Sequence, residues 1–216
     1  MSGLTSIIKI PDLRKKIVFT LMMLVIYRLG THVPIAGVDL DALSALFDQG
    51  GILGFFNLFS GGGLSRFSIF ALGILPFINA SIIMQLLAVI WPSLKELAEE
   101  GESGRKQIAQ YTRYLSIILA FIQGLVMSVG FKSFLTPGIS FIPFVIYSVM
   151  GLVAGAALVM WLGELITEHG IGNGASVLIF IGIIAAMPLY IKNTYILVQG
   201  GTRSEEHTSE LQSPDH

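Results

Sequence analysis

Four residues along one stretch have the types and spacing to govern the passage of water and polar solutes. Ile74, Ile78, Ser81 and Gln85 recur at intervals of 4, 3 and 4, which sets them on one stripe of a helix. The stripe is apolar at one end and polar at the other. Such a surface suits a water-filled funnel, lined by Ser81 and Gln85, that narrows to an apolar constriction, and apolar constrictions gate by dewetting. The same spacing also fits a plainer arrangement in which Ser81 and Gln85 hydrogen-bond a neighbouring helix. Asn79 points to the opposite face and needs its own partner, for which Gln123 is a candidate.

A second element is FFNLFSGGGLSR at 55–66. It is too short to cross a membrane, yet Phe55, Phe56, Leu58 and Phe59 are poor side chains to leave in water. Gly61, Gly62 and Gly63 free its backbone. It reads either as a re-entrant loop or interfacial helix, or as a short movable element that fills a pore.

Other chemistry is excluded or weak. The chain has no cysteine, so disulfides, thiolate nucleophiles and cysteine metal sites are absent. Two of the four histidines lie in the C-terminal tail, and the remaining His32 and His169 make no zinc cluster. GIGNG at 170–174 and GESGR at 101–105 lack the lysine and preceding strand of a phosphate loop. No Asp/Glu/His relay runs through the apolar stretches, which disfavours a proton-coupled transporter. Neither a Ser–His pair, paired aspartates nor a metal motif marks an intramembrane protease. A net charge of −1 gives no general attraction to nucleic acid.

The elements that must hold these residues are legible in the composition. The chain is 53% hydrophobic and 12% charged, with a mean hydropathy of +0.76. Soluble domains carry about 25% charged residues, so a membrane is the expected solvent. Charge-free runs of 28, 18, 31 and 22 residues cover 67–94, 114–131, 133–163 and 170–191. A span needs about 20 apolar residues. A further run, 17–29, extends toward Ile35 and carries Arg28 near its far end, where an arginine can snorkel to the interface. Five helical spans are expected, at about 17–35, 67–91, 114–132, 141–162 and 173–196. Runs this apolar lack the alternation of barrel strands. Gly151 and Gly155, followed by Ala156 and Ala157, predict close helix packing. Glu164 and Glu168 read as a solvated like-charge pair.

Positive charge sets the orientation. Lys9, Arg14, Lys15 and Lys16 precede the first span, and Lys95, Arg105, Lys106 and Arg113 follow the second. The opposite loops hold only Arg66 and Lys132. The N-terminus is therefore expected in the cytoplasm, and it does not read as a secretory signal peptide. Residues 202–216, TRSEEHTSELQSPDH, break the pattern with one basic and four acidic side chains. Their similarity to a translated sequencing adapter makes them an expected non-native tail on a 1–201 unit, set aside as a fusion scar would be.

Three longer segments carry a family resemblance. FNLFSGGGLSRFSIFALGILPFINASIIMQLL at 56–87 resembles the plug and second helix of the SecY family, the channel subunits of the Sec translocon. EGESGRKQIAQYTRY at 100–114 resembles that family's first large cytosolic loop, and MWLGELITEHGIGNGAS at 160–176 its junction between fourth and fifth helices. The resemblance covers about 10–201 and only the N-terminal half of the family's ten-helix chain.

It implies an all-α polytopic membrane protein: five transmembrane helices plus a short plug helix, half of a ten-helix clamshell around an hourglass pore. The plug would be Asn57, Leu58, Phe59, Ser60, Gly61, Gly62, Gly63, Leu64, Ser65 and Arg66, extending to about residue 70. The pore ring would take Ile74, Ile78, Ala175 and Ile179, with Ala175 departing from the isoleucine of well-known members. Asn79 and Gln123 would belong to the polar patch of the lateral gate. The resemblance further implies a non-enzymatic channel that moves unfolded polypeptides across, or into, the bacterial plasma membrane. Its partners would be SecE and SecG subunits, the SecA motor ATPase or the ribosome, signal peptides, unfolded secretory proteins and membrane lipids, with no cofactor and no direct nucleic-acid contact. Two alternatives stay open: half of a secondary transporter, with the glycine-interrupted 61–76 stretch as a broken helix, or a fragment with no activity alone.

Overall fold

The computed structural model describes residues 11–48 and 52–185, with Met187, Pro188, Ile191 and Tyr195. Lys9, most of 186–196 in the fifth expected span, and the 202–216 tail lie outside the described residues.

The first helix, α1, runs Pro11–Gly30, against an expected span of 17–35. Proline is tolerated in a helix's first turn, where its missing N–H has no partner to lose. Gly30 ends the helix where the ring of Phe70 occupies the place a Cβ would take. The chain then becomes an extended strap. Ile35 N–H donates to the Phe67 carbonyl at 2.9 Å, and Ile69 N–H donates to the Val33 carbonyl at 3.0 Å. Further on, Thr136 N–H donates to the Gly37 carbonyl and Asp39 N–H to that of Phe134. Pairing of extended backbone among the described residues is confined to the bridges Pro34–Ser68 and Val38–Leu135.

Two short helices follow that the charge-free runs do not predict. Helix α2 spans Leu40–Asp48. The Asp39 carboxylate caps it, accepting from the N–H groups of Asp41 and Ala42 at 3.1 Å. Leu43 and Phe47, one turn apart, face the core. Helix α3 spans Ile52–Phe59 and runs into the glycine turn.

The second expected span, 67–91, is helical only from Leu75. Turns occupy 67–74, because Phe67 and Gly73 hold positive φ angles of 45° and 55°, outside the right-handed helical region. Helix α4, Leu75–Ile90, starts with Pro76 in its first turn. It stops at Trp91, whose extended backbone (ψ 114°) is what a following proline demands. Helix α5, Pro92–Glu99, then turns away by 101°.

Helices α6, Glu102–Gly130, and α7, Phe141–His169, are the long ones, at 29 residues each. Helix α6 starts well before the expected 114–132 and α7 runs past the end of the expected 141–162, since helical hydrogen bonding continues into the polar ends where apolar character stops. Thr112, Ser116, Ala120, Gly124 and Ser128 are buried at four-residue spacing along α6, a small-residue seam that lets helices approach closely. A 3-10 turn, Phe131–Phe134, joins the pair. The last element, α8, is Gly174–Ala185. By length and composition, Glu102–Phe134 and Phe141–His169 can each cross a membrane, and the bent α4–α5 pair makes a third if counted as one span. Helix α1 carries Arg14, Lys15, Lys16 and Arg28, and α8 offers only 12 described residues, so neither reaches that standard.

The 67–74 segment threads between two apolar clusters. One gathers Ile35, Leu43, Phe47, Leu64, Phe67, Phe144 and Leu152. The other gathers Met23, Tyr27, Phe70, Ile74, Val159, Leu162, Ile166 and Leu178. The glycines of α7 serve this threading. A Cβ on Gly155 would collide with the Ile69 carbonyl, so Gly155 admits a loop backbone, while Gly151 faces the Ile35 side chain.

Candidate functional site

The four ring residues expected from the resemblance converge on one cluster. Ile74 is one of its buried members, and Ile78, Ala175 and Ile179 pack against the cluster as partly buried ones. Ile74 sits where α4 begins, and its Cδ1 lies against the bare backbone of Gly163 in α7. From there the stripe turns outward: Ile74 is 3% exposed, Ile78 and Ser81 are half-buried, and Gln85 is exposed. The Gln85 side-chain amide donates to the Ser81 hydroxyl at 3.1 Å. That bond joins the two polar residues of the stripe along their own helix.

The GIGNG turn sets the start of α8 against α7, and two threonines pin that turn. Thr20 of α1 accepts from the Ile171 N–H at 3.1 Å while donating to the Lys16 carbonyl. Thr167 of α7 accepts from the Gly174 N–H at 2.9 Å while donating to the Gly163 carbonyl. Gly174 also rests directly on the Gly163 backbone, where no Cβ fits. The turn therefore has a structural task, to bring Ala175 and Ile179 against the cluster that contains Ile74.

The 57–66 segment is a self-fastened knot. The Asn57 side-chain oxygen accepts from the Ser65 N–H, and the Ser60 hydroxyl accepts from the Leu64 N–H, both at 3.0 Å. Ser60 donates to the Asn57 carbonyl and Ser65 to that of Gly62. Gly61 and Gly62 take φ angles of 63° and 83°, which glycine adopts without strain. Gly61 and Gly63 are buried, and Leu64 anchors the knot in the first cluster.

The knot lies against the neighbours of the ring. Gly182, three residues past Ile179, approaches the carbonyls of Leu58 and Phe59 so closely that a Cβ there would sit 3.2 and 3.3 Å from them. Gly73, next to Ile74, faces the Phe59 carbonyl and Ser60. Beyond the knot, within the expected extension to residue 70, the Phe67 carbonyl and the Ile69 N–H are hydrogen-bonded to the strap.

Asn79 and Gln123 line one apolar groove of about 640 Å³ between α4 and α6, with Leu46, Phe56, Leu64, Leu72, Leu75, Val126 and Phe131. They share its wall, but among the described residues no hydrogen bond joins the two amides. Two ion contacts escaped the sequence reading. Arg113 Nε meets Glu164 Oε1 at 2.6 Å, so Glu164 is paired across α6 and α7 rather than solvated. Arg28 does not snorkel away from the protein; its Nη1 donates to the Gly61 carbonyl at 2.9 Å. Partners 51 and 33 residues apart leave no local sequence signal. Among the described residues, no group of three or more His, Asp or Glu side chains could hold a metal ion.

Comparison with known proteins adds the following. The SecY family model matches residues 68–212, a span that enters the polar tail. The chain is 44% identical over 199 residues to the protein translocase subunit SecY of Thermotoga maritima, covering 87% of this chain and 46% of that protein. It is 46% identical over 192 residues to the same subunit of Escherichia coli K12, covering 85% and 43%. The chain spans about half the length of the curated relatives it matches. Among solved structures, a protein-conducting channel aligns with a TM-score of 0.57 at 22% identity, over 84% of this chain and 41% of that one. A structure concerned with the plug domain of the SecY protein aligns at 0.57 and 23% identity, over 87% and 41%.

Proposed function

The chain belongs to the SecY family, and from that premise we propose that it is the N-terminal half of a protein-conducting channel subunit for unfolded polypeptides. The observation that carries this reading is the seating of the 57–66 knot against Gly73 and Gly182, beside the cluster that joins Ile74, Ile78, Ala175 and Ile179. An apolar ring can exclude ions by staying dry. Aliphatic side chains can also deform around a passing chain without a specific hydrogen-bond demand. The knot adds a removable cover. Asn79 and Gln123 would form part of the lateral gate, and Ser81 and Gln85 part of the aqueous funnel. The basic residues Arg14, Lys15 and Lys16 support a cytoplasmic N-terminus in the bacterial plasma membrane. Assembly with SecE and SecG, and drive by SecA or the ribosome, complete the proposal; no step asks for catalysis by this chain.

The test is transport. The full-length channel chain containing this half, in vesicles with SecE, SecG, SecA and ATP, should carry a signal-bearing unfolded polypeptide to a protease-protected interior. Concentrative uptake of a small solute with no protected polypeptide would favour the transporter alternative. Residues 1–201 alone should transport nothing, because half a pore leaves Gln85 facing lipid, where polar groups are costly.

We also propose that 202–216 is not native. Deleting it should leave membrane insertion of the chain unchanged, as followed by alkaline extraction and protease protection. A clear loss of insertion would make the tail part of the working protein.

A further inference from the structure

The channel reading leaves open what holds the knot down, and the inference here rests on that reading. We infer that Arg28 is a latch: a positioning residue at the end of α1 whose guanidinium fastens the 57–66 knot in its seated place through the Gly61 carbonyl.

The contact is built from both sides. Arg28 lies in the last turn of α1 and reaches a residue 33 positions away at 2.9 Å. Its own helix is anchored to the fixed frame, since Tyr27 stacks on Phe70 with ring centroids 5.9 Å apart and an interplanar angle of 12°. On the other side, Gly61 is pressed among three neighbours. A Cβ there would meet the Gly182 Cα at 3.3 Å, Arg28 Nη1 at 3.4 Å and the Tyr27 hydroxyl at 3.6 Å. A bare glycine at φ 63° presents its carbonyl there without backbone strain and without crowding Gly182.

The bonds that shape the rest of the knot behave differently. Those of Asn57, Ser60 and Ser65 close within it and survive if it lifts as a unit. The Arg28 bond joins the knot to the frame, so it must break on every opening. A hydrogen bond to a charged donor is among the stronger ones, and in an apolar surrounding it is strong enough to bias a two-position element. The side chain that sequence reading sends outward to the headgroups is thereby a determinant of the resting state.

The experiment uses the full-length channel in lipid bilayers, with Arg28→Met and Arg28→Gln, each made with and without residues 57–66. Methionine keeps length and loses the donor; glutamine keeps a donor. Resting ion conductance without substrate should rise about tenfold or more in R28M, and stay within about threefold of wild type in R28Q. In the channel lacking 57–66, R28M should add nothing further. Thiol labelling supplies a second readout, since residues 1–216 hold no cysteine and any in the rest of the channel are replaced by serine. A Ser65→Cys label site should react with a water-soluble maleimide about tenfold faster in R28M than with Arg28 present. If R28M does not accumulate, R28A carries the same expectations.

Wild-type conductance and labelling in R28M would overturn the latch. So would a rise that persists undiminished in the channel lacking 57–66, since Arg28 would then act elsewhere. The channel reading itself fails by a different result, namely no polypeptide transport by wild type and no change in conductance on removing 57–66.

Discussion

Ile78→Asn, alone or with Ile74→Asn, should make the resting full-length channel leak ions at least about tenfold faster and pass polypeptides with weakened signal sequences. The two isoleucines share the stripe of α4 that leads to Ser81 and Gln85, and they meet Ala175 and Ile179 in one cluster. An amide at the constriction lowers the cost of wetting it. Burial of an isoleucine is worth about 1.5–3 kcal/mol, and each 1.4 kcal/mol is roughly a tenfold change in an equilibrium. Loss at one or two positions is therefore enough to shift a marginal closed state. The two sites are not equal. Ile74 is buried against Gly163 and its neighbours, so asparagine there leaves an amide short of partners at about 1–3 kcal/mol. Ile78, half-buried, is the cleaner probe. Ile83 is the control: it is 37% exposed and lies roughly on the other side of α4 at 3.6 residues per turn. Ile83→Asn should impair insertion and leave conductance alone. Equal leak from a well-folded Ile83→Asn would show that the stripe does not line a pore.

Replacing residues 57–66 by a short Gly-Ser link should leave polypeptide transport largely intact while raising resting conductance by about tenfold or more. The knot holds itself together through Asn57, Ser60 and Ser65, and its contacts with the frame include the Leu64 side chain, the Arg28 bond and the Ser68 N–H donating to the Gly63 carbonyl at 2.9 Å. Unburying one leucine costs about 1.5–3 kcal/mol, and a hydrogen bond to a charged group contributes a similar amount. Those are energies a bound polypeptide can offset, as a removable cover requires. They are also large enough that removing the cover changes the resting state tenfold. Planar-bilayer recording with and without substrate is the readout. Unchanged resting conductance together with lost transport would make the segment a strut.

What was legible in the sequence divides along a physical line. Charge-free runs mark where a chain prefers lipid, and they located α6, α7 and most of α4. They could not locate helix ends, because hydrogen bonding continues past the apolar stretch. Hence α6 begins at Glu102 and α7 reaches His169, well into charged sequence. Nor could they show that 67–74 is turned rather than helical. The residues there are as apolar as a span, and the break comes from backbone angles at Phe67 and Gly73. The strap is a matter of two carbonyls, invisible in side-chain patterns. The amphipathic helices α2 and α5 were missed because each is shorter than any spanning run, although the Asp39 cap before α2 was a usable signal. The 4, 3 and 4 spacing puts Ile78, Ser81 and Gln85 along α4, while Ile74 stands at its N-cap, in the turn that precedes the helix. The arrival of Ala175 and Ile179 at the cluster that contains Ile74 depends on the GIGNG turn and on Thr20 and Thr167, which act across long separations. Sequence pattern alone makes Arg28 a snorkelling side chain and Arg113 a topological charge. Each instead has a partner far along the chain.

The central claim is that Ile74 and Ile78 face a path that polypeptides travel. The most direct measurement is photocrosslinking in the full-length channel, with a benzophenone amino acid at position 78 or at position 83 and a secretory polypeptide arrested in mid-passage. A strong crosslink from position 78 that depends on ATP and on the signal sequence, with little from position 83, is the expected result. No crosslink from position 78, or equal yield from position 83, would contradict the account.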